Sequence, residues 1–236
     1  MRPVNRGSCP EIDGESIEFK SYQDARGYLI ERLGPYCSYC ERRIASSLAV
    51  EHIHHKDLYD HLEREWTNFL LACTNCNSTK GTKLVSEEEH FLPHKDNTYR
   101  AFVYKYGGIV EPSPDLSESD RVKATNTINL VGLNKIVTDD LKRNPQIADR
   151  RSLERREKWE LANTLKSQLL SQAKVESLAL EMFKLLVEQS GMFSVWMSVF
   201  KEHKFFLKEI LDVFPGTDLL CFDEEYKPIQ RENGLI

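Results

Sequence analysis

Four cysteines fall in two Cys-x-x-Cys pairs, Cys37/Cys40 and Cys73/Cys76, and Glu51-His52-Ile53 stands between them. Four thiolates at this spacing can close around one zinc ion as a tetrahedral site filled entirely by protein, which makes the metal structural. Glu51 and His52 are adjacent, so their side chains point in different directions, as metal-assisted hydrolysis requires. Glu51 can hold a hard cation such as Mg²⁺ through a carboxylate oxygen. His52, whose ordinary pKa lies near neutrality, can take a proton from an attacking water. Asn77 lies one residue past Cys76. A zinc bound there fixes its position, and its amide oxygen can complete the metal site opposite Glu51.

Plainer readings compete with each of these. The cysteines can be unrelated, or one pair can be a redox motif, but two copies with polar neighbours fit metal better. The 32 residues between Cys40 and Cys73 exceed the simplest zinc ribbons, so the insert must itself fold. A zinc would also compensate for the thin apolar core of so small a module. Cys9 and Cys221 read as small, semi-buried residues without a partner. His54, His55 and His61 read first as polar loop residues and second as metal or phosphate contacts.

The order of these elements resembles the HNH (ββα-metal) endonuclease family. The matching residues are Cys37-Ser38-Tyr39-Cys40, Glu51-His52-Ile53, Asn68-Phe69-Leu70 and Cys73-Thr74-Asn75-Cys76-Asn77-Ser78-Thr79-Lys80-Gly81. The resemblance implies an α+β fold, with a ββα-metal HNH module and structural zinc followed by a mainly α-helical C-terminal region. It makes Glu51 and Asn77 ligands of a catalytic Mg²⁺ or Mn²⁺ and His52 the general base. Asn68 becomes the central Asn that ties the loop and orients His52. Lys80 becomes a phosphate contact on the final helix, with Lys56 as a second substrate contact. The chain departs from the pattern at His55, often Pro in the family, and at Asp57–Glu65, which replaces a Gly-rich loop and reads as potentially helical.

The opening Met1-Arg2-Pro3-Val4, with Arg6-Gly7, is similar to one branch, as are Phe214-Pro215-Gly216-Thr217 and Cys221-Phe222-Asp223. That branch is the HNH nuclease subunit of Septu-type and retron-associated anti-phage systems. It implies an ATPase subunit as partner and, in a retron context, the retron RNA/DNA and its reverse transcriptase. The substrate is expected to be nucleic acid, with DNA favoured over tRNA or another structured RNA. A non-catalytic zinc-binding adaptor is the reading from a different class, and the intact set of Glu51, His52, Asn68 and Asn77 argues against it.

Composition agrees with a globular protein: 236 residues, 40% hydrophobic and 29% charged. There is no apolar run long enough for a membrane span and no secretory signal, so a cytoplasmic location is expected. The net charge of -5 is unusual for a protein that binds phosphates by itself. The strongest basic run is Lys142, Arg143, Arg150, Arg151, Arg155, Arg156 and Lys158. It reads either as a solvated helix face or as a phosphate-tracking or partner-docking surface.

The elements that must position these groups divide into an N-terminal arm and helix (1–35), a nuclease module (36–114) and a helical region (115–236). The periodicity of Tyr22, Ala25, Leu29 and Leu33 predicts a helix ending at Gly34-Pro35. A short strand is expected at Leu48–Val50, a second apolar segment at Trp66–Ala72, and a helix from Asn77. Ala101–Tyr104 and Lys105–Val110 read as a strand pair, with Glu111–Pro114 as the linker. Helices follow, one capped by Ser119, then Pro145–Gln172, Lys174–Gln189, Met192–His203 and Phe205–Phe214. The apolar stripe Leu178, Met182, Leu185 and Leu186, with Phe193, Trp196, Phe200 and Phe206, reads as core with part of it open to a partner.

Overall fold

The computed structural model describes residues 1–136, 149–171 and 175–236. A short hairpin, β1 (Glu11–Ile12) and β2 (Glu15–Ser16), leads into a 3₁₀ turn at Tyr22–Ala25 and helix α1 (Arg26–Leu33). Strand β3 (Ala49–His52) and strand β4 (Phe69–Ala72) flank a long loop, and helix α2 (Thr74–Lys80) follows β4 directly. A single helical turn, α3 (Thr98–Ala101), precedes the β5 (Phe102–Lys105) and β6 (Ile109–Pro112) hairpin. The rest is helical: α4 (Glu118–Val131), α5 (Arg151–Leu170), α6 (Ser177–Ser190), α7 (Phe193–Val199) and α8 (Lys204–Asp212). The expected α+β class, with small sheets and a helical C-terminal part, is the class observed.

Each sheet is a two-stranded antiparallel hairpin. In the one that carries the site, Val50 faces Leu71, Glu51 faces Leu70 and His52 faces Phe69. All four residues of β4 are buried, so its apolar Phe-Leu-Leu-Ala run serves both faces of the pair. Ala25, Leu29 and Leu33, three of the four residues in the N-terminal stripe, are fully buried; Tyr22 is only half-buried and belongs to the site described below.

Several boundaries differ from expectation. Helix α2 begins at Thr74, inside the second knuckle, because Cys73 caps it through a sulfur that accepts from the Cys76 amide at 3.4 Å. Ser117 rather than Ser119 caps α4, its hydroxyl accepting from the Asp120 amide at 3.1 Å. Glu111 and Pro112 lie in β6 and Ser113 is buried, donating its amide to the Ala101 carbonyl at 2.9 Å, so this stretch is packed chain rather than linker. Asp57–Glu65 holds one 3₁₀ turn, Asp60–Leu62, in place of a helix. Lys142, Arg143, Pro145 and Lys174 lie outside the described residues.

The helical part packs onto the knuckle rather than trailing from it. The Glu41 carboxylate, directly after Cys40, accepts from the Ser194 hydroxyl and from the Ser194 amide at 3.0 Å, at the start of α7. Close approach is built into the backbone here. Gly191 has φ +63, and a Cβ on it would come within 2.7 Å of the Glu41 carbonyl oxygen and the Arg43 amide. Only glycine fits that contact without displacement.

Candidate active site and metal centre

The two knuckles face each other. Cys37, Cys40, Cys73 and Cys76 are buried, and their sulfurs all lie within 4.8 Å of one another. Among the described residues no other set of three or more His, Cys, Asp or Glu side chains converges so closely. The first knuckle turns on Glu41, whose φ of +63 lets its amide return to the Cys37 carbonyl at 2.9 Å. Ser38 stitches this turn to β4, donating its amide to the Leu71 carbonyl at 2.8 Å and accepting from the Leu71 amide through its hydroxyl at 3.3 Å. Four soft sulfur donors in one buried cluster suit a structural zinc.

His52 ends β3 with 8% of its surface exposed. Its Nε2 lies 2.8 Å from the Glu63 carbonyl. A carbonyl can only accept, so Nε2 carries the hydrogen and Nδ1 keeps the lone pair in the neutral ring. Burial pushes the imidazole below its ordinary pKa, partly offset by that carbonyl, so the neutral form is favoured. The ring is wedged between Phe69, at 5.4 Å, and Tyr22, at 4.7 Å. The Lys56 ammonium stands 5.2 Å over the Tyr22 ring and 3.2 Å from a Glu63 carboxylate oxygen, at the rim of this site.

Asn68 holds the long loop in shape. Its Oδ1 accepts from the His54 amide at 2.8 Å, while Nδ2 donates to the carbonyls of His54 at 2.9 Å and Leu62 at 3.2 Å. Its own carbonyl accepts from Ile53 at 2.9 Å. Loops of this length need such internal ties to keep one conformation. Behind the loop a cavity of about 180 Å³ is lined by His54, Asn68, Glu87 and His94, among others. The Nδ1 atoms of His54 and His94 are buried there without a hydrogen-bond partner. His55 and His61 lie on the outside, near Asp57 at 3.7 Å and Asp60 at 3.8 Å.

Glu51 and Lys80 are both 2% exposed, and Lys80 Nζ lies 2.8 Å from Glu51 Oε1 while donating to the His52 carbonyl at 2.7 Å. The lysine expected to contact phosphate therefore points inward in this structure, compensating a buried carboxylate and clamping α2 to β3. Burial still pushes the Glu51 carboxyl up, against the pull of Lys80. Oε1 forms this ion pair off the direction of a hydrogen bond and has no other partner. Carboxylate oxygens are ligands that hard cations take, and here the Lys80 ammonium already stands on Oε1. Asn77 is half-buried one turn before Lys80, on the same side of α2. A side-chain amide oxygen and a carboxylate are the oxygen donor types that Mg²⁺ or Mn²⁺ takes.

Residues 37–83 match the HNH endonuclease family. The match runs from the first knuckle cysteine past α2 and supports an HNH nuclease domain in this segment, with a nucleic-acid substrate. It covers 47 of the 236 residues. No curated protein matches the chain. Among the described residues no helix is long and apolar enough to cross a membrane.

Two contributors to the HNH site escaped the sequence reading. Tyr22 lies outside the matched segment, and its helical spacing marked it as core. Glu63 acts through its backbone carbonyl, which no side-chain pattern reports. Two members of the basic run depart from both readings of it, while Arg150 and Arg156 are exposed. Arg151 and Arg155 are buried, and Arg155 donates to the carbonyls of Gly108 at 2.8 Å and Leu133 at 2.7 Å.

Proposed function

We propose that the protein is a metal-dependent endonuclease that hydrolyses phosphodiester bonds, with DNA as its favoured substrate. The observation that carries this reading is the pairing at the end of β3. A neutral imidazole is held by a backbone carbonyl, beside a buried carboxylate whose Oε1 has no directed hydrogen bond. A divalent cation on Glu51 and Asn77 would neutralise the charge that grows on the leaving oxygen. His52, fixed through Nε2, offers the Nδ1 lone pair to a water and takes its proton as that water attacks phosphorus. Asn68 keeps the carbonyl-bearing loop in register, and Tyr22 and Phe69 limit the rotation of the ring. Lys56, at the rim, is placed to meet a substrate phosphate.

The finer reading is an effector nuclease of an anti-phage defence complex that works with an ATPase subunit. Its sequence support is the similarity of both chain ends to the Septu-type branch. Its physical support is a charge that disfavours unaided nucleic-acid capture, together with an uncovered apolar stripe on α6. Leu178, Met182 and Leu185 are 73%, 54% and 52% exposed, whereas Phe193, Trp196, Phe200 and Phe206 of the same expected stripe are buried. A partner subunit would cover that stripe.

The test is incubation with labelled plasmid DNA and total RNA, with and without the candidate ATPase, in Mg²⁺ and in EDTA. Cleavage of DNA in Mg²⁺ alone is expected. His52→Ala should reduce the rate by about 10²–10⁴ while zinc content and melting temperature hold. Full activity in that variant removes His52 from the mechanism. Failure of the folded, zinc-loaded protein to cut either nucleic acid under any of these conditions removes the nuclease reading.

A further inference from the structure

Helix α5 reaches the cysteine cluster with an arginine. Arg151, 1% exposed, donates from Nη1 to Cys76 Sγ at 2.9 Å and to the Val131 carbonyl at 2.8 Å. Its Nη2 donates to the Gly132 carbonyl at 2.9 Å, and Nε meets the Asp149 carboxylate at 2.9 and 3.0 Å. One turn further along α5, Glu154 pairs with Arg42 Nε at 3.0 Å, and Arg42 Nη2 donates to Asn75 Oδ1 at 3.1 Å. Arg42 follows the first knuckle by two residues, and Asn75 stands between the two cysteines of the second. One helix from beyond the matched HNH segment therefore grips both knuckles.

The chemistry gives this grip a purpose. Zinc with four thiolates carries two net negative charges, and a buried dianion is costly unless cations and hydrogen bonds compensate it. A guanidinium donating directly to a ligand sulfur supplies the hydrogen bond, and its charge is shared between that sulfur and Asp149. Groups of this kind, one shell out from the ions they serve, orient the ligands and raise metal affinity. We propose that Arg151 is a positioning residue of the zinc centre, so that metal occupancy and the docking of α5 on the knuckles are a single coupled equilibrium. The inference rests on zinc at the four cysteines and is independent of the nuclease reading.

The test replaces zinc with cobalt and compares wild type with Arg151→Gln and Arg151→Lys. Loss of the N–H···S bond leaves a more electron-rich sulfur, so the thiolate-to-cobalt charge-transfer bands of Arg151→Gln should move to lower energy. Its release of metal to a chelator should be about 10–100-fold faster, with Arg151→Lys intermediate because it keeps the charge without the fork. Unchanged bands and an unchanged release rate in folded Arg151→Gln would leave the arginine a mere clamp on carbonyls and overturn the proposal. If that variant does not fold, hydrogen exchange on the wild type decides. Zinc removal should expose the first turns of α5 to exchange, and full protection of α5 in the metal-free protein overturns the coupling.

Discussion

Around the knuckles the groups withdrawn from water include Glu41, Glu51, His52, Asn68 and Lys80, whereas in the helical part they are chiefly Phe183, Phe193, Trp196, Phe200 and Phe206. The first region is held by directed contacts: an ion pair, amide-to-carbonyl ties and four converging sulfurs. The second is held by aromatic edges and faces, with Phe183 within 5.2 to 5.9 Å of Trp196, Phe200 and Phe206. Aromatic packing tolerates small shifts, because its attraction is spread over many weak contacts. A buried carboxylate or imidazole tolerates few, because an unpaired polar group is costly. The region proposed to fix reacting atoms is thus built from the forces that fix geometry best, and the helices supply bulk stability.

Removing the metal staple should break this contrast most severely. Cys73→Ser takes one ligand from the cluster while leaving a hydroxyl that can still cap α2. Metal analysis and a solubility assay should show lost zinc and aggregated protein. A soluble, zinc-free variant that melts like wild type would mean that the knuckles fold without their ion.

Directed contacts were also the more legible half of the molecule in the sequence. The knuckles and Glu51-His52 follow from residue type and spacing, because metal geometry admits few alternatives, whereas the Asn68 tie was implied only by the family resemblance. The β5–β6 hairpin and the order of the helices followed from apolar patterning, whereas the exposed β1–β2 hairpin did not. Lys80 was misplaced because helix spacing puts it near the site without saying whether it faces solvent or the carboxylate. The apolar stripe was read as core with part of it open, without saying which part. Leu178 and Phe183 are equally apolar, and only the placement of α7 and α8 decides which of them is covered. Arg151 lay in a run of charges that looked solvated, since sequence gives no sign that a buried sulfur waits for one of them.

A paired substitution sharpens the comparison at the next level. Lys80→Met leaves the Glu51 carboxylate buried without its cation and should cost about 3–5 kcal/mol, read from urea unfolding. Glu51→Gln in the same chain should recover most of that loss, because the stranded charge is then gone. Phe183→Ala should cost a similar amount, about 3–5 kcal/mol, through the cavity it opens. Yet metal release and cleavage by the surviving folded fraction should stay at wild-type values for Phe183→Ala and change for Lys80→Met. Equal disturbance of the site by both would erase the division between the two regions.

The smallest effect expected is a pH slope. His94 is half-buried as a residue, and its Nδ1 is buried without a hydrogen-bond partner. Burial, then the nearby Arg6 guanidinium and Lys95 ammonium, hold this imidazole well below its ordinary value. In the unfolded chain the same ring takes a proton below about pH 6.5. The unfolded state therefore binds more protons in acid, and stability present above about pH 6.5 declines as pH falls below it. His54 is lowered in the same direction, whereas Glu51 and Asp96 are raised and favour the folded state as they protonate. The net slope is thus a difference between opposed contributions, and a single variant is needed to isolate one of them. His94→Asn keeps a polar side chain without a titration in this range. Its melting temperature should fall less steeply than wild type between about pH 6.5 and about pH 5. Superimposable curves would show that the ring is as well solvated in the folded protein as in the unfolded chain, and that the cavity behind the Asn68 loop is no drier than the surface.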